Sequence, residues 1–485
     1  MNYRMITYIL GWILLFEAAF LLVPSITALV YLERAGFAFL ITIGICLLVS
    51  SLLILKKPQN TDLHSRDGFV IVSLSWIFLS LFGALPFIFS GATTSYIDAF
   101  FETVSGFTTT GASIFGDVEI LPKCVLIWRS FTHWVGGMGV LVFIMAFLPL
   151  SGGRNMHIMK AESPGPSVGK LVPRVRTTAI WLYGIYFALT LVMFAVFLIG
   201  KMPVFDAICT AFGTAGTGGF SIKNSGMSSY SPFLQITISV FMLLFSINFE
   251  SYFALVQRKW RSIFTAEVIT FLVIVAAATG IITWNLYHNA PVEQALAGDL
   301  GNTARHAFFT VSSLISTTGF ATIDFALWPS ISVTVLILLY FIGACAGSTG
   351  GGVKISRILI LFKGLAREIG NSIHPKRVKK VTVGKKEVES ETVRSVFVFF
   401  ACLFALFGAS LLLISLDGKD FLTNFSAVAT TLGNVGPGFS EVGPTKNFAD
   451  FSALSKLVLS FDMLAGRLEL FPMLVLFSPA TWKKY

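Results

Sequence analysis

Charged residues are scarce in this chain: Asp, Glu, Lys and Arg supply 12% of its 485 residues, against 55% hydrophobic ones. The mean hydropathy is +0.80. A water-soluble fold is thereby excluded for most of the length, because the apolar surface left exposed would far exceed what soluble domains carry. Cysteine is rare as well. Cys46, Cys124, Cys209, Cys345 and Cys402 stand far apart, without the paired spacing of a disulfide framework or zinc site, and are read as small packing residues. The six histidines, His64, His133, His157, His288, His306 and His374, are scattered. They form no HExxH pair, and no Ser-His-Asp set can be argued from them. No enzyme is expected and no catalytic residue is assigned. The glycine run 343–352 lacks the GK[ST] of a phosphate-binding loop, since Val353 separates Gly352 from Lys354 and no strand precedes it. No bound cofactor is expected.

Long apolar runs are what the chain does have. Stretches near residues 5–32, 36–55, 69–90, 125–150, 178–200, 233–256, 266–287, 331–361, 395–416 and 454–478 are each long enough to span a bilayer, at about 20 residues per helical crossing. The first is too long, and too weakly basic ahead of its apolar run, for a cleaved signal, so it is read as a retained helix. The net charge of +10 reflects Lys and Arg that cluster in alternate loops. Lys56, Lys57 and Arg66 lie in one; Arg154, Lys160, Lys170, Arg174 and Arg176 in the next; then Arg258, Lys259 and Arg261; and nine Lys or Arg lie in 363–394. The positive-inside rule places these loops and both termini in the cytoplasm. Basicity here reports topology and implies no nucleic-acid partner.

The intervening loops, 91–124, 201–232, 288–330 and 417–453, each contain a segment too short to cross a membrane. Anchored on Gly111, Gly219, Gly319 and Gly436, they align without a gap as DAFFETVSGFTTTGAS, DAICTAFGTAGTGGFS, HAFFTVSSLISTTGFA and TNFSAVATTLGNVGPG. Two residues before each glycine stand Thr109, Thr217, Thr317 and Asn434. About ten residues of helix reach only ~15 Å, so each segment dips into the bilayer and returns as non-helical backbone. Such backbone is tolerated at membrane depth only inside protein or beside water. Glycine supplies the positive φ that turns carbonyls to one side, and four strands so turned would replace a cation's hydration shell. Asp98 and Asp206 sit where a half-helix begins, favourable to its dipole. Helix packing through small residues competes as the account of any single TTTG; four aligned copies between spans favour a pore.

The expected fold is therefore an all-α integral membrane protein. Four pseudo-symmetric repeats, each a span, a pore loop and a second span, surround one ion pore, and two extra N-terminal transmembrane helices precede them. The divisions are an N-terminal unit at 1–60, repeats at 61–155, 170–260 and 262–370, a basic cytoplasmic linker at 371–391, and a fourth repeat at 392–485. Ion contacts fall to Thr109, Thr110 and Gly111; Thr217, Gly218 and Gly219; Thr317, Thr318 and Gly319; and Asn434, Val435 and Gly436. K⁺ is the expected permeating ion.

At these residues the chain resembles the Trk/Ktr/HKT superfamily of K⁺ transporters, and its bacterial TrkH group in particular. The motifs are SGFTTTGAS (105–113), GTGGFS (216–221), STTGFAT (316–322), NVGPG (434–438) and GSTGGGVKISR (347–357). The similarity covers essentially the whole chain, including residues 5–55, which leaner relatives lack. It implies a selectivity filter lined by the four glycines and a homodimer with one pore per protomer. It also implies a cytosolic nucleotide-binding TrkA-type ring and a place in the bacterial inner membrane. One matched glycine per segment, where the K⁺-channel filter TVGYG has two, predicts passage of K⁺ and Rb⁺ with Na⁺ less strictly excluded.

The run Gly343-Ala-Cys-Ala-Gly347-Ser348-Thr349-Gly350-Gly351-Gly352 cannot hold a regular helix, since each interior glycine costs ~1 kcal/mol. It is expected to break the span just below the filter, where the family uses a mobile loop as a gate; a fixed kink is the alternative. Arg467, inside the last apolar stretch, is costly there unless it faces a cavity or partner. It is assigned as a positive barrier beside the loop, against an ion pair with Asp462 or Glu469. Lys354 is read as an interfacial, snorkelling lysine. Arg129, His133 and Trp134 are read as an interfacial anchor, with Gly136–Gly139 as a tight packing site. Asn248 and Glu250 are either ion contacts or helix-end residues. Loops 151–177 and 363–394 are candidate docking surfaces for a cytosolic partner. A coupled symporter is the alternative mechanism, although such proteins usually carry ionisable groups at mid-membrane in broken helices.

Overall fold

A computed structural model describes residues 1–55, 57–59, 63–139, 175–259, 263–289, 291, 294, 296–374, 380–384 and 386–483. Two helices in series, α1 (Tyr3–Phe20) and α2 (Leu22–Val30), are followed by α3 (Gly36–Ile54). Ser50 donates to the Gly11 carbonyl at 2.8 Å, joining α3 to α1. Gly11 is required there, because a Cβ would fall 2.8 Å from the Ile54 side chain.

From Ser65 onward the chain passes four times through one order of elements: a long helix, a short helix, an irregular strand and a further helix. The first passage uses α4 (Ser65–Gly83), the short continuation α5 (Leu85–Phe89), α6 (Tyr96–Phe107) and α7 (Lys123–Gly137). The second uses α8 (Val175–Ile199), α9 (Val204–Gly216), α10 (Pro232–Phe245) and α11 (Phe249–Val256). The third uses α12 (Ala266–Asn289), α13 (Leu300–Ile315), α14 (Ser330–Tyr340) and α15 (Ile355–Ile373). Between the third and fourth lies a two-stranded antiparallel hairpin, β1 (Thr382–Val383) and β2 (Lys386–Glu387), which qualifies the all-α expectation within the basic linker. The fourth uses α16 (Ser390–Ile414), α17 (Phe421–Gly433), α18 (Ala453–Arg467) and α19 (Phe471–Phe477).

The short helices start on local signals. Ser95, Asp299 and Asp420 each accept a backbone N–H from the first turn, at 3.3, 3.0 and 3.0 Å. α9 follows Pro203 instead and carries Asp206 in its first turn. The long helices present Leu40, Leu48, Leu52, Trp284, Phe404 and Leu412 to the outside, as lipid-facing surfaces do. Six described helices are long and apolar enough to cross a membrane.

The ten predicted spans need correction. The stretch 233–256 is no straight crossing: α10 and α11 meet at 88°. Asn248 makes the break by capping α11, accepting the Glu250 N–H at 2.7 Å. This is the helix-end role. The stretch 454–478 breaks too, between α18 and α19, where Glu469 and Leu470 take φ of 59° and 66°. The run 331–361 breaks as expected, and α15 then continues to Ile373. The stretch 125–150 is described only to Gly139, and the docking candidate 151–177 lies outside the described residues up to 174.

Candidate ion pathway

Each short helix runs into the same backbone sequence. Thr109, Thr217, Thr317 and Asn434 adopt φ of 56°, 55°, 59° and 53°, and the glycines two residues later adopt 81°, 78°, 84° and 101°. Left-handed geometry at alternate residues reverses successive peptide planes, so carbonyls that would point to opposite sides of an extended strand can face one way. For threonine this conformation is unusual, and the surrounding fold imposes it: Thr217 and Thr317 have their side chains buried in protein, as do Thr109 and Asn434.

The four strands meet in a closed cycle. A Cβ built on Gly111 would overlap the carbonyl oxygen of Gly218; on Gly219, that of Thr318; on Gly319, that of Val435; and on Gly436 it would lie 2.5 Å from that of Thr110. First touches second, second third, third fourth, and fourth first. All four glycines line one cavity of ≈140 Å³ on the side of the long loops, together with Ser113, Ser221 and Pro437. The structure thus brings Thr110, Gly111, Gly218, Gly219, Thr318, Gly319, Val435 and Gly436 into one ring of cross-strand contacts, with Asn434 donating to Thr110 Oγ1 at 3.0 Å.

What holds the ring was missed in the sequence. Arg129 is 2% exposed and Glu102 1%, and the Arg129 Nε donates to Glu102 at 2.7 Å. The same guanidinium donates to Ser113 Oγ and to the Ser221 carbonyl at 3.1 and 3.2 Å, and lies 4.2 Å from the Phe220 ring centre. Glu102 in turn accepts the Ile114 N–H at 2.9 Å. One buried pair therefore fixes the exits of strands one and two. His133, fully buried, bridges the same strands: its Nδ1 lies 2.8 Å from the Gly106 carbonyl, and its Nε2 accepts the Phe220 N–H at 3.3 Å. The interfacial-anchor assignment is wrong for both residues, since neither reaches an interface. Tight packing does hold at the glycines beyond them: a Cβ on Gly136 would overlap Phe107, and one on Gly137 would lie 2.7 Å from the Gly216 Cα. Asp98 and Asp206 do sit at helix starts, each beside a lysine, Lys456 at 2.6 Å and Lys223 at 3.3 Å.

Below the ring, residues 341–354 leave the helix and pack against it. Gly351 donates its N–H to Thr317 Oγ1 at 2.7 Å, and a Cβ at Gly351 would fall 2.6 Å from that of Asn434. The loop is tied to the break in the second passage: Cys345 N–H donates to Ser246, and Phe249 N–H donates to Gly347, at 3.1 and 3.0 Å. Arg467 reaches across it, donating to the Thr349 carbonyl at 2.7 Å and to the Gly136 and Gly137 carbonyls at 2.6 and 2.7 Å. The guanidinium so placed lies beside the loop, as expected from the sequence. Glu469, one of its assigned ion-pair partners, has its carboxylate paired with Arg357, and Asp462 accepts from Ser410 at 2.7 Å. Lys354 is not a snorkelling residue: it is 2% exposed and turns back onto its own loop, donating to the Gly350 and Gly351 carbonyls. Gly347, Gly350, Gly351, Lys354 and Arg467 line a second cavity of ≈90 Å³ on the far side of the loop. Two chambers thus lie above and below a ring of backbone, with the loop and a cation between them.

Comparison with known proteins agrees with this arrangement. The family model described as "TrkH: Cation transport protein" matches residues 35–484. The "Trk system potassium uptake protein TrkH" of Salmonella typhimurium is 37% identical, covering 100% of both chains. The "Trk system potassium uptake protein TrkG" of Escherichia coli is 34% identical over 99% of each. Among solved structures, the potassium transporter TrkH from Vibrio parahaemolyticus superposes with a TM-score of 0.89 at 34% identity, covering 100% of each chain. With its ring of four strands and a match of this extent, the chain belongs to the TrkH family of cation transport proteins.

Proposed function

We propose that this protein takes up K⁺ through a gated, channel-like pore. Its selectivity filter is the ring of backbone at Thr109–Gly111, Thr217–Gly219, Thr317–Gly319 and Asn434–Gly436, contributed by four pseudo-symmetric repeats. The closed cycle of glycine-to-carbonyl contacts carries this reading, because a path for a dehydrated cation needs oxygens from all four strands around one axis. The names of the relatives, potassium uptake proteins of the Trk system, supply the ion. Filter order comes from few glycines and from buried threonines, so Na⁺ is disfavoured without being rigorously excluded.

The gate is the loop Gly343–Gly352 with Arg467. A cation leaving the filter meets a guanidinium whose hydrogen bonds hold that loop across the path, and movement of the loop relieves both obstacles. In an interior-negative cell the membrane potential drives entry, by ~2.3 kcal/mol per charge per 100 mV. The protein sits in the inner membrane with both termini cytoplasmic. It works as a homodimer, and a TrkA-type nucleotide-binding ring beneath it docks on the basic segments and shifts the loop.

Arg467→Ala is expected to raise Rb⁺ flux into liposomes several-fold, without changing the K⁺/Na⁺ ratio. An unchanged flux and open probability would remove Arg467 from the gate. Reversal potentials test transport itself. A Nernstian response to K⁺ alone is the expected result, and a fixed dependence on a Na⁺ or H⁺ gradient would identify a coupled symporter.

A further inference from the structure

We infer that Glu267 is a positioning residue, the latch that holds the intramembrane loop closed. This rests on the gate assignment above. Glu267 lies in the first turn of α12, apart from the ring and from the carbonyls that Arg467 engages. One of its oxygens, Oε1, accepts two backbone N–H groups, from Ala346 at 2.8 Å and from Ser356 at 3.1 Å.

The two donors have different histories along the chain. Ser356 is in the first turn of α15, where an unpaired N–H and the positive end of the helix dipole commonly attract a carboxylate. A residue serving only that end would stop there. Ala346 belongs to the other limb of the loop, on the near side of the glycine run 347–352, and has no helix to complete. A single oxygen therefore clamps both limbs. Hydrogen bonds to a charged acceptor are about twice as strong as neutral ones.

The anchor also sits on the right element. α12 is a long, unbroken helix, whereas the loop's other ties run to the break at Ser246 and Phe249, to the Thr317 hydroxyl at the ring, and to Arg467. The limbs close on each other as well, Gly343 N–H to Val353 at 2.6 Å and Ile355 N–H to Ala344 at 3.2 Å, so releasing one limb loosens the whole. When the loop swings, Ser356 stays with its helix and keeps its bond. Ala346 must leave. Glu267 thus opposes opening through one bond and stabilises α15 through the other.

Full-length protein in liposomes provides the test. Rb⁺ flux and K⁺/Na⁺ ratio are measured for Glu267→Ala, Glu267→Gln and Arg467→Ala. The rate at which a water-soluble thiol reagent modifies Cys345, buried in the loop beside Ala346, is measured with the other four cysteines replaced. Glu267→Ala is expected to raise both flux and Cys345 modification about tenfold, the factor that loss of one charge-assisted bond implies, with the ion ratio unchanged. Glu267→Gln keeps a neutral acceptor of the same shape, should give an intermediate rise, and carries the test if the alanine variant does not fold. If Arg467→Ala raises flux while both Glu267 variants leave flux and Cys345 modification unchanged, the latch is overturned and the gate stands. A shifted K⁺/Na⁺ ratio in the Glu267 variants overturns it too, by placing the effect at the ring. If Arg467→Ala also changes nothing, the gate assignment itself fails.

Discussion

Gly219→Ala is expected to lower K⁺ flux about a hundredfold while the protein still assembles in the membrane. Gly219 sits at φ 78°, and a Cβ there would overlap the Thr318 carbonyl oxygen of the next strand. The left-handed conformation alone costs an L-residue roughly 1–2 kcal/mol. Pushing a methyl group against immovable backbone adds about 1–3 kcal/mol, and each 1.4 kcal/mol is tenfold. The strand relieves the strain by turning the peptide away, which removes one quarter of the ring. Gly280→Ala is the matched control: it lies in α12 with nothing within 4 Å of the added carbon, so flux should stay at the wild-type level. Equal flux from both variants would mean that the glycine ring is not the path.

Arg129→Ala should be the most destabilising single change behind the ring. It strands the Glu102 carboxylate, 1% exposed, with its Ser113 and Ile114 donors but no counter-charge. Breaking one side of a buried pair costs about 3–5 kcal/mol. Because Ser113 and Ser221 lose their common donor together, strands one and two drift independently, and discrimination of K⁺ from Na⁺ should collapse before flux does. Arg129→Lys restores the charge but not the fork that reaches both strands, so it should recover stability more than selectivity. The double variant Arg129→Met with Glu102→Met leaves no buried charge and should melt at a higher temperature than either single variant. Thermal melting in detergent, paired with Rb⁺ and Na⁺ flux, reads both effects. Unaltered selectivity in Arg129→Lys would make the pair a mere structural brace.

Much of the ring was legible in the primary structure, for a physical reason. A segment that enters the membrane as a half-helix and returns as bare backbone needs glycine at its turn and spans on either side, and both leave marks that survive divergence between the four copies. The residues two positions earlier were legible as an aligned column, Thr109, Thr217, Thr317 and Asn434, but not as left-handed backbone. Only Asn434 is a type that adopts αL readily; for the threonines the conformation is imposed by neighbours far away in sequence. The breaks below the ring divide in the same way. Gly343–Gly352 announced itself, whereas the break at Glu469 and Leu470 is built from good helix formers, with Pro472 as its sole local signal. At Ser246–Asn248 the sign was an asparagine, with Glu250 two residues on, in a mostly apolar run. Arg129, Lys354 and Glu267 were beyond reach, because a charge in an apolar stretch says that it needs a partner without saying which. Glu102 lies on the preceding short helix, and Ala346 on a loop that leads into the helix holding Ser356, a path that only the folded chain defines.

The most direct measurement is the anomalous scattering of Rb⁺ in crystals of the protein grown with Rb⁺ in place of K⁺. The account predicts a peak on the axis enclosed by Thr110, Gly218, Thr318 and Val435, lost in Gly219→Ala and retained in Gly280→Ala. Bound Rb⁺ found only away from that axis, in a protein that still conducts it, would contradict it.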